Sequence, residues 1–141
     1  MKSMVIFIDT NVVIDYLTNR ADFAKESEKI IQACSDKKFN GSIASHTISN
    51  IFYILRKSYT VKERRFFLYE LCNILNVVGI DKEQVLIAIQ NDKFNDLEDC
   101  MQVECAKLAQ AEWIITRNIA DFTDSSVPAI SPTDFLERYG I

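Results

Sequence analysis

Acids and amides recur in this chain directly after or at the head of apolar runs, where side chains are free to do chemistry. Asp9, followed by Thr10 and Asn11, interrupts "FIDTNVVIDYL". Asp96 and Asp99 open "NDLEDCMQVECAKLAQA", and Asn118 and Asp121 follow the run in "WIITRNIADF". Taken singly, each reads first as structure. Asp9 or Thr10 can cap a helix, Asp96-x-x-Asp99 has the look of a capping-box start in a first turn that favours acids, and Asp121 can be a loop residue. Gathered together they mean more. Two carboxylates ~5 Å apart repel by ~3 kcal/mol at an effective dielectric of 20, so a fold that brings three together needs a cation. Oxygen-only ligands suit Mg²⁺ or Mn²⁺. Such an ion lowers the pKa of a bound water and neutralises charge developing on a phosphate. The chemistry suggested is metal-assisted hydrolysis of a phosphodiester.

The elements that must carry these residues alternate between short apolar strands and helices. The pattern predicts strands over Met4–Ile8, Ser42–Ala44, Val77–Ile80, Trp113–Thr116 and Val127–Ile130. It predicts helices over Asn11–Leu17, Phe23–Cys34, Thr47–Lys57, Lys62–Leu75, Glu83–Asn91, Asp96–Gln110 and Pro132–Arg138, with a turn at Asn40-Gly41. In Lys62–Leu75, Phe66, Phe67, Leu71, Ile74 and Leu75 are expected to face inward. In Asp96–Gln110, Leu97, Cys100, Met101, Cys105 and Leu108 form one stripe, with Asp99, Val103 and Ala106 opposite. A helix apolar on both sides is buried, which puts Asp99 at the end of a buried face. Strands alternating with helices imply a three-layer α/β/α sandwich around a mostly parallel sheet of four to five strands. Ligands of such sheets bind outside the carboxyl ends of the strands, where Asp9 and Asn118 fall.

Composition sets the frame. The 141 residues, 48% of them hydrophobic, suit one domain over residues 1–141 with a sizeable core. No segment approaches the ~18 apolar residues of a membrane span, so a soluble, cytoplasmic protein is expected. The net charge of −4 weighs against simple electrostatic capture of nucleic acid, although a bound cation or a local basic patch reverses the sign where it matters. Cys34, Cys72, Cys100 and Cys105 form no CxxC pair, and with His46 the only histidine they are expected to be reduced, buried thiols.

The segments "FIDTNVVIDYL", "SIASHTISNIFYILRK", "DLEDCMQVECAKLAQAEWIITRN" and "ADF" resemble, in order, spacing and context, the PIN-domain proteins, over about Met4 to Pro132. The resemblance implies a Mg²⁺- or Mn²⁺-dependent nuclease; many small bacterial members are VapC-type toxins that cut RNA and are held by an antitoxin, and many form homodimers. It implies Asp9, Asp99 and Asp121 as metal-ligating acids, with Asn118 and Asn50 completing the catalytic set and Asp96 in reserve. Thr10, Asn11 and Thr116 would hydrogen-bond the acids or the substrate. Two positions depart from the family. Asn50 stands where many members carry a glutamate, and Asn118 where the last strand often ends in aspartate. Asparagine keeps a carbonyl oxygen but brings no charge. A single metal fits this set better than two, and the pattern resembles a subgroup of the family with asparagine in place of the glutamate.

Other chemistry fares less well. His46 lies beside Ser45 without a third partner, so groove lining, capping or a phosphate contact suits it better than nucleophilic catalysis. Arg117, next to the acids, is the better single candidate for a phosphate contact. The stretch Arg56, Lys57, Lys62, Arg64, Arg65 can track a nucleic-acid backbone or be a solvated helix start, with Phe66 and Phe67 in the core. There is no glycine-rich phosphate loop. An Asp-Thr after a first strand also occurs in haloacid-dehalogenase-like phosphatases, but their second acid would fall at Asn11. The alternative from outside enzymes is a degenerate PIN fold that binds RNA or protein without catalysis.

Overall fold

The computed structural model describes residues 3–141. Five short strands form one sheet: β1 (Val5–Ile8), β2 (Asn40–Ala44), β3 (Asn76–Val78), β4 (Trp113–Ile115) and β5 (Ala129–Ile130). Their order is β3-β2-β1-β4-β5 and every pairing is parallel. The helices are α1 (Thr10–Leu17), α2 (Ala24–Ser35), α3 (Ser45–Ile54), α4 (Val61–Ile74), α5 (Lys82–Gln90), α6 (Leu97–Leu108) and α7 (Pro132–Arg138). This is the three-layer sandwich expected from the alternation of elements, and no helix is long and apolar enough to cross a membrane among the described residues.

Side chains of β1 show why both faces are covered. Successive residues of a strand point to opposite faces. Ile6 and Ile8 enter a core with Val12, Ile30, Ile51, Leu71 and Phe135, on the side of α1 to α4 and α7. Phe7 enters a second core with Val103, Cys105, Ala106 and Phe122, under α6. All three β1 residues are completely buried, which accounts for a run without polar alternation. Because β1 lies between β2 and β4, the chain winds outward in both directions from it. The carboxyl end of β1 is therefore the switch point at which a crevice opens.

Several local expectations are corrected. Asn40 and Gly41 are not a turn but the first residues of β2, paired with Val5 and Ile6. A Cβ at Gly41 would stand 2.6 Å from Leu75 Cδ2 and 2.7 Å from Cys34 Sγ, so close packing rather than a turn requires glycine. The expected helix to Lys57 ends at Ile54 and tightens into a 3₁₀ turn, Leu55–Lys57. In α4, begun by a reciprocal capping box between Thr60 and Glu63, Leu71, Ile74 and, just past its end, Leu75 face the core as expected, joined by Leu68; Phe66, however, is 59% exposed and Phe67 packs edge-on against Tyr59. Arg64 is buried, its guanidinium over Phe52 and its Nη1 donating to the Phe52 carbonyl at 2.7 Å, so it does not extend the basic stretch. In α6 the buried face runs through Cys100, Val103, Cys105 and Ala106, while Leu97 and Leu108 are exposed. Cys72 is exposed; the other three thiols are buried.

Candidate active site

Asp9 occupies the N-cap position of α1 with extended backbone (φ −61°, ψ 144°), yet its side chain makes no capping hydrogen bond. It turns instead across the sheet edge and is only 3% exposed. Its Oδ1 accepts from Gln102 Nε2 at 2.9 Å and its Oδ2 accepts from Thr116 Oγ1 at 2.9 Å. Both donors are themselves oriented. Thr116 Oγ1 accepts from the Asn118 backbone N–H at 3.0 Å, so its own proton is directed at Asp9. Gln102 Oε1 accepts from the Thr10 backbone N–H at 3.2 Å, which leaves its amide N–H groups toward the carboxylate. Thr10 Oγ1 donates to Glu98 Oε1 at 3.1 Å and shares a 2.9 Å hydrogen bond with Thr47 Oγ1. The network joins the ends of β1 and β4 to the first turns of α3 and α6.

Above it lies a cavity of about 420 Å³. Five carboxylates contribute to its wall: Asp9 from the junction of β1 and α1, Asp96, Glu98 and Asp99 from the head of α6, and Asp121 from a 3₁₀ turn after β4. Amides complete it, with Asn11, Asn50, Gln102 and Asn118, and Tyr53 and Ile54 stand at the α3 side; no lysine or arginine is among the lining residues. A second hollow of about 200 Å³ shares Asp96, Asp99 and Asp121 and carries Lys93. Electrostatics reflect this crowding. Burial pushes the Asp99 carboxyl up to about 7, with further upward pressure from Asp96, Asp9, Asp121 and Glu98. Burial also raises Asp9, against the opposing pull of its hydrogen bonds from Gln102 and Thr116.

The residues singled out in the sequence thus divide. Asp9, Thr10, Asn11, Asn50, Asp96, Asp99, Asn118 and Asp121 all line the one cavity. Asp96 is also the N-cap of α6, its Oδ1 accepting from the backbone N–H groups of Glu98 (2.7 Å) and Asp99 (3.3 Å). Thr116 is completely buried behind Asp9, where it positions the carboxylate and cannot meet a substrate. Arg117 does not line the cavity. Its guanidinium lies over the Phe23 ring and grips buried Asp15 through Nε (2.5 Å) and Nη2 (3.2 Å). Strand alternation explains this, since Thr116 and Arg117 leave β4 on opposite sides. His46 also lies outside the lining; burial lowers its pKa, and Nε2 has no hydrogen-bond partner among the described residues. Sequence reasoning missed Glu98, Thr47 and Gln102. Gln102 carried a signal, because an amide inside a helix apolar on both sides must find partners once buried.

The donor set, all oxygen and rich in anions with no cation among the cavity's lining residues, fits a hard divalent ion. Among the described residues no three His, Cys, Asp or Glu side chains are grouped so as to hold one by themselves. Mg²⁺ in particular is usually held by one or two carboxylates with waters and substrate phosphates, not by an all-protein cage.

Comparison with known proteins points in one direction. The profile of the PIN domain family matches residues 5–120. Ribonuclease VapC1 of Aquifex aeolicus (strain VF5) is 30% identical over 143 residues, covering 99% of this chain and 98% of its own length. Among solved structures, a toxin-antitoxin complex from Klebsiella pneumoniae superposes with a TM-score of 0.67 at 23% identity, covering 90% of this chain and 97% of its own. VapBC2 from Rickettsia felis, bound to a promoter DNA fragment, gives 0.68 at 15% identity, covering 91% and 98%. At these identities the two structures speak for the fold alone.

Proposed function

This chain belongs to the PIN domain family, VapC-like in its relatives, and from that premise we propose that it is a metal-dependent endoribonuclease, the toxin of a toxin-antitoxin pair. One observation carries the reading: the buried carboxylate of Asp9 declines the cap position it occupies and is held by Gln102 and Thr116 at the wall of an acidic cavity. A side chain needed only for the helix would not be oriented by two donors on other elements. The relative named a ribonuclease, matched over 98% of its own length, supports the substrate class, and the VapC likeness carries the proposal of an antitoxin partner.

Asp9 and Asp99 would hold Mg²⁺ or Mn²⁺, with Asp121 and Asn118 on the facing wall. When bound, such an ion supplies a water of lowered pKa and charge neutralisation at the phosphate. The chain's own residues do the rest. Gln102 and Thr116 fix both oxygens of Asp9, so no reorganisation of that carboxylate is required as ligands arrive. Burial, with the neighbouring acids, raises the metal-free Asp99 carboxyl to about 7, so an ion held there would displace a proton from it near neutral pH. Asn50 offers an amide that can orient a water or a substrate oxygen without adding charge. Asp96 serves chiefly to start α6 and keep Asp99 in place.

A calorimetric Mn²⁺ titration of wild type beside Asp9→Asn tests the site, followed by cleavage of single-stranded RNA by the same proteins. Binding and cleavage in wild type that are both lost in folded Asp9→Asn support the reading. Cleavage at the wild-type rate by Asp9→Asn and Asp99→Asn defeats it. Among the described residues no three acids are grouped to hold an ion by themselves, and this, with Asn50 and Asn118, favours a second reading, a PIN fold that binds RNA or protein without turnover. That reading expects RNA binding independent of metal.

A further inference from the structure

An RNA approaching this site meets a difficulty visible in the charges. Its phosphates must enter a cavity walled by five carboxylates with no lysine or arginine in the lining. A bound divalent ion offsets part of that charge, and Lys93 stands in the neighbouring hollow. Much of the affinity must then come from contacts indifferent to charge.

Helix α3 supplies such a contact. Asn50, Tyr53 and Ile54, spaced i, i+3 and i+4, turn one face toward the cavity. Tyr53 is 61% exposed there. One face of its ring is covered: the Arg56 guanidinium, from the 3₁₀ turn that follows, lies over it with Cζ 3.7 Å from the ring centroid. Arg56 Nη1 also donates to the Tyr53 carbonyl at 2.9 Å, so the guanidinium and the ring are held as a unit. A cation stacked on one side of a ring holds the ring without consuming the opposite side. Among the described residues no guanidinium backs Phe66 or Tyr69, the exposed rings of α4, and neither ring lines the acidic wall.

We propose that Tyr53 is the stacking platform for one unpaired base of the RNA, and that Arg56 backs the ring and meets the adjoining phosphate. The inference rests on the reading of RNA as the ligand and goes beyond it by assigning the side chain that takes the base, which must be unpaired because bases inside a duplex are already stacked on one another. Aromatic stacking tolerates any base and changes affinity by about 5- to 150-fold on removal of the ring. With few cations in contact, the salt dependence of binding is expected to be shallow.

The test uses the full chain and a short single-stranded RNA carrying 2-aminopurine at successive positions, whose fluorescence is quenched by stacking. Binding and quench are read for wild type, Tyr53→Phe, Tyr53→Leu and Tyr53→Ala, with Mn²⁺ affinity and thermal melting as checks on the site and the fold. The proposal expects a quench at one position in wild type and Tyr53→Phe. It expects loss of that quench, with about 5- to 150-fold weaker binding, in Tyr53→Leu and Tyr53→Ala. Equal binding and quench in all four proteins overturns it and assigns the exposed ring to a protein contact instead. Retention by Tyr53→Leu alone also overturns it, since an apolar contact would then suffice. The two readings separate cleanly. Wild type that cleaves RNA while Tyr53→Ala behaves identically sinks only the stack, and a Tyr53-dependent quench without Mn²⁺-dependent cleavage sinks only the nuclease.

Discussion

At Asp9, both carboxylate oxygens accept a hydrogen bond from a donor whose own direction is fixed, Gln102 by the Thr10 N–H and Thr116 by the Asn118 N–H. Groups that orient a metal ligand typically change affinity by about 10- to 100-fold when removed. Thr116→Val, nearly isosteric, is therefore expected to weaken Mn²⁺ binding by about 10- to 100-fold while the protein remains folded, a result calorimetry can read directly. Unchanged affinity would mean that Thr116 does not position Asp9 for a metal. Asp99 makes a prediction about pH. Its carboxyl stands at about 7 in the fold against 3.8 for the ordinary group, so between those values the folded state holds more protons than the unfolded chain. Stability of the metal-free protein from this group is present at low pH and is lost as pH rises through about 7. Thermal melts of protein freed of metal should show a higher midpoint at about pH 5 than at about pH 8, and Asp99→Asn should flatten that difference. A slope of unchanged size in the variant would place its cause elsewhere.

Among the elements, α6 carries most of the site because of how it begins. Asp96 caps it, and the first turn then projects Glu98, Asp99 and, one turn on, Gln102 toward β1 and β4. Asparagine is as good a cap as aspartate, whereas alanine costs about 1 kcal/mol. Asp96→Asn should accordingly keep both stability and cleavage, and Asp96→Ala should lose about 1 kcal/mol in urea unfolding; a large loss of activity in Asp96→Asn would instead make Asp96 a ligand. On the other side of the sheet edge, α1 is tied to the end of β4 by the fork of Arg117 on buried Asp15, with Arg20 more distant at 3.8 Å. Removing one partner of a buried pair leaves the other charge stranded and costs ~3 kcal/mol or more. Arg117→Ala is expected to fall near ~3 kcal/mol, lessened where solvent or Arg20 reaches Asp15, with Mn²⁺ affinity little changed because Arg117 does not line the cavity. A loss of cleavage without any loss of stability would return Arg117 to the role the sequence suggested.

Over the whole molecule, the acids of β1, α6 and the turn after β4 converge because β1 sits at the centre of the sheet order, with β2 and β4 on either side. A cation that binds this folded arrangement and not the open chain must stabilise it; saturating Mn²⁺ at about 100 times its dissociation constant should add about 2.7 kcal/mol, reversed by EDTA. No shift in melting temperature would argue for the non-catalytic reading. Much of this architecture is determined by sequence alone. The parallel three-layer fold is legible because β1 is apolar without alternation, a pattern imposed by burial on both faces, and because helices of ordinary length separate the strands. The candidate acids are legible for a related reason, since polar residues immediately after such strands fall at the ligand-binding edge. Other features depend on contacts between distant segments and carry no local signature. Gly41 looks like a turn residue until Leu75 and Cys34 are packed against it. Arg117 looks like a phosphate ligand until α1 brings Asp15 to it, and nothing local marks Tyr53 as a residue that faces the acids. Whether Asp9 was cap or reagent lay at the same level. The cap position follows from the chain's local course, but the direction of the carboxylate was decided by Gln102 and Thr116, donors 93 and 107 residues away that only the tertiary structure could bring to it.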